Sequence, residues 1–358
     1  MKIMTYTIYS SDREDAGKEI TMKTFQSHEH IRNQVSQLTP AMRYDNNQDF
    51  RAWQKSARAK LEELLGLPLQ RCEDDFAIIS ENQCEGYKHL EFTFQSEPGY
   101  YVSCDMLIPD GIQAPLPTAI CLQGHSTGKH ISVGKAKFEG DAASIAGGRD
   151  FAVRAVKEGC CAITLEQRYM GAAGQNEKGS PACLSRNEGM AALLIGRTAI
   201  GERVWDIQRL IDVMEKHLAQ YVDVEKIICM GNSGGGTATF YASCMDERIY
   251  LSMPSCSVCT YEDSIMAMYH CPCNFIPGIR KYFDMGDLGG LIADRRLVVV
   301  CGDQDPIFPL HGVKASFELI QNAYRKLGRE ALCQLVVGKG GHQFYPDDAW
   351  PVVHKLLQ

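Results

Sequence analysis

The spacing of hydrophobic positions divides the chain into two kinds of segment. Between residues 24 and 65 the apolar residues recur at helical spacing, on a stripe that contains Phe50, Trp53, Ala57, Leu61, Leu64 and Leu65. Gly66 ends that pattern, because glycine commonly terminates a helix. We therefore predict an N-terminal helical arm over residues 1–70 and a second, larger domain over residues 71–358.

Beyond residue 87 the apolar residues form short runs of strand length. Two alternating runs, His89–Phe94 and Tyr101–Ile108, flank a Pro-Gly turn and predict a β-hairpin. Six further runs are nearly continuous in apolar character: Thr118–Leu122, Cys161–Leu165, Lys226–Met230, Tyr250–Pro254, Arg296–Cys301 and Cys333–Val337. Such runs are typical of parallel strands that are buried on both faces. The predicted fold is an α/β fold with a mostly parallel sheet of about eight strands.

Helical spacing separates these runs, over Asp141–Lys157, Ile200–His217, Gly234–Met245, Pro309–Leu327 and Asp347–Leu357. Two segments, Gln167–Arg197 and Ser255–Asp287, show neither pattern. Each follows a predicted strand at the carboxyl edge of the sheet, where open α/β folds bind ligands. Long irregular segments in compact domains are usually functional. We expect both to border a binding site.

Composition and charge exclude several classes of protein. The 358 residues carry 37 basic and 44 acidic side chains, a net charge of −7, which argues against a nucleic-acid partner. The 15 cysteines cannot all pair and lie within apolar runs, which indicates buried thiols in a reducing compartment. No run approaches the roughly 18 apolar residues of a membrane span. We expect a cytoplasmic protein without a membrane partner. Removal of a signal peptide stays an alternative, and homo-oligomer formation stays open.

The segment Gly231–Gly236 has the sequence G-N-S-G-G-G, between a predicted strand and a predicted helix. A serine in G-x-S-x-G at such a junction is typical of a nucleophile elbow, whose tight turn requires small neighbours. This pattern predicts Ser233 as a nucleophile and the Gly234 N–H as an oxyanion donor. A phosphate-binding loop is the alternative, but the Lys-Ser/Thr pair of a Walker loop is missing.

A second G-x-S-x-G match, Gly124–Gly128, also follows a predicted strand. A polar stretch follows it instead of a helix of small residues. Its position corresponds to the loop after the third strand, which supplies the second oxyanion N–H in folds with a nucleophile elbow. We therefore assign the backbone around His125 and Ser126 to the oxyanion hole. Ser126 as the nucleophile is the alternative.

An acid and a base follow in the order expected for such a serine. Asp303 and Asp305 come directly after one predicted strand, and His342 follows the last strand behind two glycines. The order Ser, Asp, His, each at a strand's carboxyl end, predicts a catalytic triad. From their position alone, either aspartate could orient His342.

From about Tyr87 onward the chain resembles the α/β-hydrolase superfamily, in its acetyl xylan esterase-like and dienelactone hydrolase-like branch. The matching segments are Gln123–His125, Trp205–Asp206, Gly231–Gly235, Asp246–Arg248, Gly302–Asp305 with Pro309, and Gly341–His342. The resemblance implies the α/β-hydrolase fold, Asp305 as the acid and Asp303 as the fallback. It also implies hydrolysis of a short-acyl, acetyl ester of a carbohydrate or related small molecule. Gln123 stands where the family commonly has histidine.

Three further residues are predicted to bind substrate. Arg168 and Tyr169 follow a predicted strand near the substrate entrance, and Trp350 lies close to His342 in the sequence. An aromatic ring there could stack against a sugar. An ordinary polar loop and core packing are the respective alternatives.

The sequence also carries a cysteine cluster, Cys256, Cys259, Cys271 and Cys273. Four thiolates could form a zinc site. Pro272 restrains the last two cysteines, so we expect no metal. Hydrolysis by a Ser-His-Asp triad needs no organic cofactor, so we expect none. The remaining rival functions are an amide-cleaving peptidase of the same fold and a non-catalytic or zinc-structured binding protein.

Overall fold

The computed structural model describes residues 26–45, 47–174 and 188–358. The chain divides into two compact units, Met1–Leu38 and Thr39–Gln358. The described part of the first unit contains one helix, α1 (Ser27–Ser36). The second unit contains the sheet and all the predicted site residues.

A nine-stranded sheet forms the centre of the second unit, within the part of the chain that the structure describes. Its strands are β1 (Ala77–Cys84), β2 (Tyr87–Glu97), β3 (Tyr100–Pro109), β4 (Leu116–Leu122), β5 (Cys161–Leu165), β6 (Val222–Asn232), β7 (Ile249–Ser255), β8 (Arg296–Gly302) and β9 (Cys333–Gly338). The spatial order is β1-β2-β3-β5-β4-β6-β7-β8-β9. The first three strands pair antiparallel, β3 is antiparallel to β5, and the others run parallel. The predicted α/β-hydrolase fold is confirmed.

Helices cover both faces of this sheet. They are α2 (Phe50–Leu65), α3 (Asp141–Ser144), α4 (Phe151–Lys157), α5 (Glu188–Leu193), α6 (Ala199–His217), α7 (Gly234–Met245), α8 (Met285–Leu288), α9 (Leu310–Lys326) and α10 (Pro346–Leu357). Buried side chains of α2, α6, α7 and α9 form the core on one face, and those of α4 and α10 form the core on the other. None of the described helices is long and apolar enough to cross a membrane.

Helix α2 belongs to the second unit, although we assigned it by sequence to an arm ending at residue 70. Its apolar stripe is the reason, because Trp53, Leu61 and Leu65 are buried in the main core. The Trp53 indole N–H also donates to the Met42 carbonyl oxygen at 2.8 Å. A face this apolar is stable only against another apolar surface.

The structure differs from the predicted elements at two places. Strand β1 was not predicted, because it is an edge strand whose side chains are mostly exposed and show no apolar alternation. The helix predicted over Asp141–Lys157 is divided by a π-helical turn, Ile145–Arg149, where Gly148 has φ 79°. Much of the predicted loop Gln167–Arg197 lies outside the described residues.

Candidate active site

Ser233 occupies a strained turn between the end of β6 and the start of α7. Its φ and ψ are 57° and −123°, a conformation that costs a non-glycine residue on the order of 1–3 kcal/mol. Two hydrogen bonds hold the turn against the end of β7: the Ser233 N–H donates to the Ser255 carbonyl oxygen at 2.9 Å, and the Ser255 hydroxyl donates to Asn232 Oδ1 at 2.8 Å. The surrounding contacts therefore fix the serine in place.

Glycines are required on both sides of this serine because other backbone lies too close for a side chain. A Cβ atom at Gly231 would lie 2.6 Å from the carbonyl carbon of Gly235. A Cβ atom at Gly235 would lie 2.1 Å from the carbonyl oxygen of Leu122, at the end of β4. The local geometry is the strand, tight turn and helix of a nucleophile elbow.

His342 lies on the loop after β9 and pairs with Asp305, on the loop after β8. His342 Nδ1 and Asp305 Oδ2 are 2.8 Å apart, and Asp305 Oδ1 accepts from the N–H groups of Ile307 and Phe308 at 2.8 and 3.1 Å. Burial acts to raise the pKa of Asp305, but these hydrogen bonds and the charge of the imidazole outweigh it and hold the pKa below its usual value. An ionised Asp305 fixes the proton on Nδ1 and leaves Nε2 as the base.

Asp303, the other candidate acid, has a different partner. Its Oδ1 accepts from the Gly340 N–H at 2.9 Å, and its own N–H donates to the Gly338 carbonyl oxygen at 2.9 Å. Asp303 therefore links the loop after β8 to the loop after β9 by hydrogen bonds that do not involve His342. The structure thus distinguishes two aspartates that their positions along the chain left equivalent.

Ser233 and His342 line one cavity of about 440 Å³, together with His125, Ser144, Gly147, Arg149, Asn232, Ile307, Gln343 and Phe344. The loop after β4 lies directly against the elbow, since a Cβ atom at Gly124 would lie 2.7 Å from the Asn232 carbonyl oxygen. A Cβ atom at Gly234 would lie 3.4 Å from His125 Cε1. The first N–H groups of a helix have no acceptor within the helix, so the N-terminus of α7 offers donors to a developing negative charge here.

Ser126, the serine of the second G-x-S-x-G match, is buried and does not line this cavity. Gln123 has an anchoring role. Its amide donates to Ser132 Oγ at 2.8 Å and to the Arg149 carbonyl oxygen at 2.6 Å. These bonds hold the loop that carries His125, and no local sequence pattern indicates them.

The three predicted substrate-binding residues lie outside the cavity lining. Arg168 is buried in an ion-pair network, with Nε and Nη2 each 2.8 Å from Asp206 and Nη1 3.0 Å from Glu97. The Tyr169 hydroxyl donates to Glu202. Trp350 is fully buried against the sheet, so the structure places it in the core.

A second histidine, which the sequence analysis did not select, lies beside the pair. His270 is buried, and the Phe308 ring contacts both imidazoles, with centroids 5.7 Å from His270 and 5.8 Å from His342. Burial lowers the pKa of His270, and the neighbouring His342 and His125 lower it further. No local sequence pattern distinguishes His270, because the irregular segment Ser255–Asp287 brings it here only in three dimensions.

The four clustered cysteines do not converge on one point. Cys256 Sγ donates to the Gln343 carbonyl oxygen at 3.2 Å, and Cys259 Sγ to the Pro309 carbonyl oxygen at 3.8 Å. Cys271 and Cys273 instead lie near His125, with ligand atoms within 4.8 Å of one another, and Cys256 forms a similar group with Asp305 and His342. These groups offer three ligands each, whereas structural zinc sites almost always use four.

Comparisons with known proteins agree with this architecture. A family model described as an abhydrolase family matches residues 2–330. The protein YtaP of Bacillus subtilis (strain 168), whose name assigns it provisionally to the hydrolases, is 24% identical over 153 residues. That match covers 42% of this chain and 50% of YtaP, so the chain spans about half the length of this curated relative.

Two solved structures share the fold across most of the chain. One, from Bacteroides fragilis NCTC 9343, is provisionally assigned as an acetyl xylan esterase; it has a TM-score of 0.73 and 19% identity, and the match covers 88% of this chain and 83% of that one. The other is a glucuronoyl esterase from Solibacter usitatus, with a TM-score of 0.66, 13% identity and coverage of 90% and 98%. At these identities the likeness establishes the fold.

The separation of the cysteines predicts that no structural zinc is present. Protein purified without added metal should contain well under one equivalent of zinc by elemental analysis. Chelation should leave the melting temperature unchanged, because a structural zinc contributes folding free energy directly. A stoichiometric zinc content that is lost together with thermal stability on chelation would contradict this prediction.

Proposed function

This chain belongs to the abhydrolase family, and we propose that it is a serine hydrolase of carboxylic esters with Ser233, His342 and Asp305 as its catalytic triad. One observation carries the proposal. Ser233, on its strained turn, lines the same cavity as His342, and His342 Nδ1 lies 2.8 Å from the buried carboxylate of Asp305. A serine hydroxyl becomes an effective nucleophile only beside such an oriented base.

In the first half of the reaction, Ser233 Oγ attacks the ester carbonyl carbon while His342 Nε2 accepts the hydroxyl proton. Asp305 keeps the imidazole in the required tautomer and stabilises the imidazolium that forms. The carbonyl oxygen becomes an oxyanion, stabilised by the Gly234 N–H at the start of α7 and by an N–H of the His125–Ser126 loop. The alcohol then leaves with the proton from His342, and an acyl-enzyme remains.

In the second half, water takes the place of the alcohol. His342 removes a proton from the water, which attacks the acyl carbon, and the same donors stabilise the second oxyanion. Collapse of this intermediate returns the proton to Ser233 and releases the carboxylic acid. The proton that leaves Ser233 thus departs with the alcohol and a proton from water replaces it, so the enzyme is regenerated in one turnover, and no cofactor takes part.

We propose a short acyl group on a carbohydrate or related small molecule as the substrate. Two observations support this class. The cavity, at about 440 Å³, has room for a small substrate and is bordered by polar side chains such as Asn232 and Gln343. Solved structures with this fold include proteins described as an acetyl xylan esterase and as glucuronoyl esterases.

Replacement of the two candidate serines tests the nucleophile. Ser233→Ala should lower kcat for an aryl acetate by roughly 10⁴- to 10⁶-fold, because no other group at the elbow can form the acyl-enzyme. Ser126→Ala is the matched control and should keep most of the activity, since the backbone N–H assigned to the oxyanion hole survives that change. Steady-state hydrolysis measures both.

Exchanged outcomes, with Ser126→Ala inactive and Ser233→Ala active, would overturn the assignment. The same assays separate ester from amide hydrolysis. A higher kcat/KM for aminoacyl anilides than for acetyl esters would identify the chain as a peptidase of this fold and contradict the esterase proposal.

A second pair of variants tests the acid. Asp305→Asn should lower kcat on the order of 10⁴-fold, because the amide group favours the wrong tautomer of His342. Asp303→Asn should cost far less, since an amide oxygen can still accept from the Gly340 N–H. Circular dichroism should show both variants folded. Equal losses of activity in the two folded variants would contradict the separate roles.

A further inference from the structure

The cavity that holds Ser233 has an unbalanced electrostatic character. Its described lining contains the Arg149 guanidinium and the imidazoles of His125 and His342, but no aspartate or glutamate. Asp305 lies behind His342 and forms its hydrogen bond there. The described lining therefore carries one guanidinium and two imidazoles but no carboxylate.

Arg149 is the charged member of that lining, and its guanidinium has few hydrogen-bond partners and no carboxylate beside it. Nη2 donates to the His125 carbonyl oxygen at 3.2 Å, whereas the buried Nε has no hydrogen-bond partner among the described residues. Burial lowers the pKa of Arg149, and no neighbouring carboxylate acts in the opposite direction. A desolvated guanidinium without an anion is unfavourable.

Two other arginines have more complete sets of partners than Arg149. Arg168 is paired with the carboxylates of Asp206 and Glu97. Arg295 donates to four backbone carbonyl oxygens, those of Ser243, Asp246, Ile249 and Leu291. Arg149 has neither arrangement, and it lines the cavity that holds Ser233.

The backbone around Arg149 leaves room for a ligand. Arg149 ends the π-helical turn Ile145–Arg149, and such turns occur frequently at functional sites. Gly147 also lines the cavity, and a Cβ atom there would meet no other atom within 4 Å. The wall beside the guanidinium is therefore open and made of small residues.

From this arrangement we infer that the enzyme selects esters that carry a free carboxylate elsewhere in the molecule, bound by Arg149 while Ser233 attacks the ester carbonyl. The inference rests on the proposed serine esterase function. Guanidinium and carboxylate form paired, charge-assisted hydrogen bonds, which fix both the position and the orientation of a ligand. Arg149 is thus a specificity-determining residue of the site.

A matched pair of acetyl esters tests the inference: 3-acetoxybenzoate, which carries a carboxylate, and 3-acetoxybenzamide, which has the same shape without the charge. The measurement is the ratio of kcat/KM for the charged ester to kcat/KM for the neutral one. A charge-assisted hydrogen bond corresponds to roughly 10- to 100-fold in binding. The unmodified protein should therefore favour the benzoate by about tenfold or more.

Variants of two arginines then locate the selectivity. Arg149→Gln should reduce the ratio to about one, and Arg149→Lys should keep part of the preference, because the positive charge remains. Arg154→Gln is the control with the same change in net charge, since Arg154 pairs with Glu158 and Asp347 outside the cavity. It should keep the full ratio.

The ratio of the two kcat/KM values shows whether Arg149 binds the substrate carboxylate or only supports the local structure. If Arg149 only anchored His125, Arg149→Gln would slow both esters equally and leave the ratio unchanged, which would overturn the inference. Equal hydrolysis of the two esters by the unmodified protein would overturn it as well, with the esterase proposal intact. Hydrolysis of neither ester would overturn the esterase proposal and this inference together.

Discussion

The close approach of three backbone segments around Ser233 is the constraint on which the site depends. The ends of β4, β6 and β7 meet at one point of the sheet edge, where a single Cβ atom at Gly235 would lie 2.1 Å from the Leu122 carbonyl oxygen. That proximity forces the tight turn, and the bonds to Ser255 maintain the strained backbone of Ser233. The same turn places the N-terminus of α7 directly after Ser233, so the packing and the proposed oxyanion stabilisation have one origin.

His342 and Asp305 are held by hydrogen bonds on loops other than the elbow. Asp303 joins the loops after β8 and β9, and Asp305 then fixes the imidazole of His342 within that frame. Gln123 donates to the Arg149 carbonyl oxygen, and the Arg149 guanidinium donates in turn to the His125 carbonyl oxygen. The cavity is consequently pre-organised on both sides, a condition for electrostatic stabilisation of a transition state.

Features that depend on local backbone chemistry could be predicted from the sequence, whereas long-range partnerships could not. The glycines around Ser233 mark the turn, and the buried strands mark the sheet. Edge strand β1 lacks a buried face and left no apolar pattern. Arg168 follows a strand in the predicted place, but its carboxylate partner Asp206 lies 38 positions away, so its burial was not foreseeable. The sequence predicts Arg149 within a continuous helix, Asp141–Lys157, whereas the structure places it at the end of the π-helical turn that borders the cavity.

The central claim is that Ser233 is the residue the fold activates, and covalent labelling tests it most directly. A fluorophosphonate reacts with a serine only where an oriented base and an oxyanion hole are present together. The labelled protein, digested and mapped by mass spectrometry, should carry one modification, on Ser233. Modification of Ser126 instead, or no modification of the folded protein, would contradict the account.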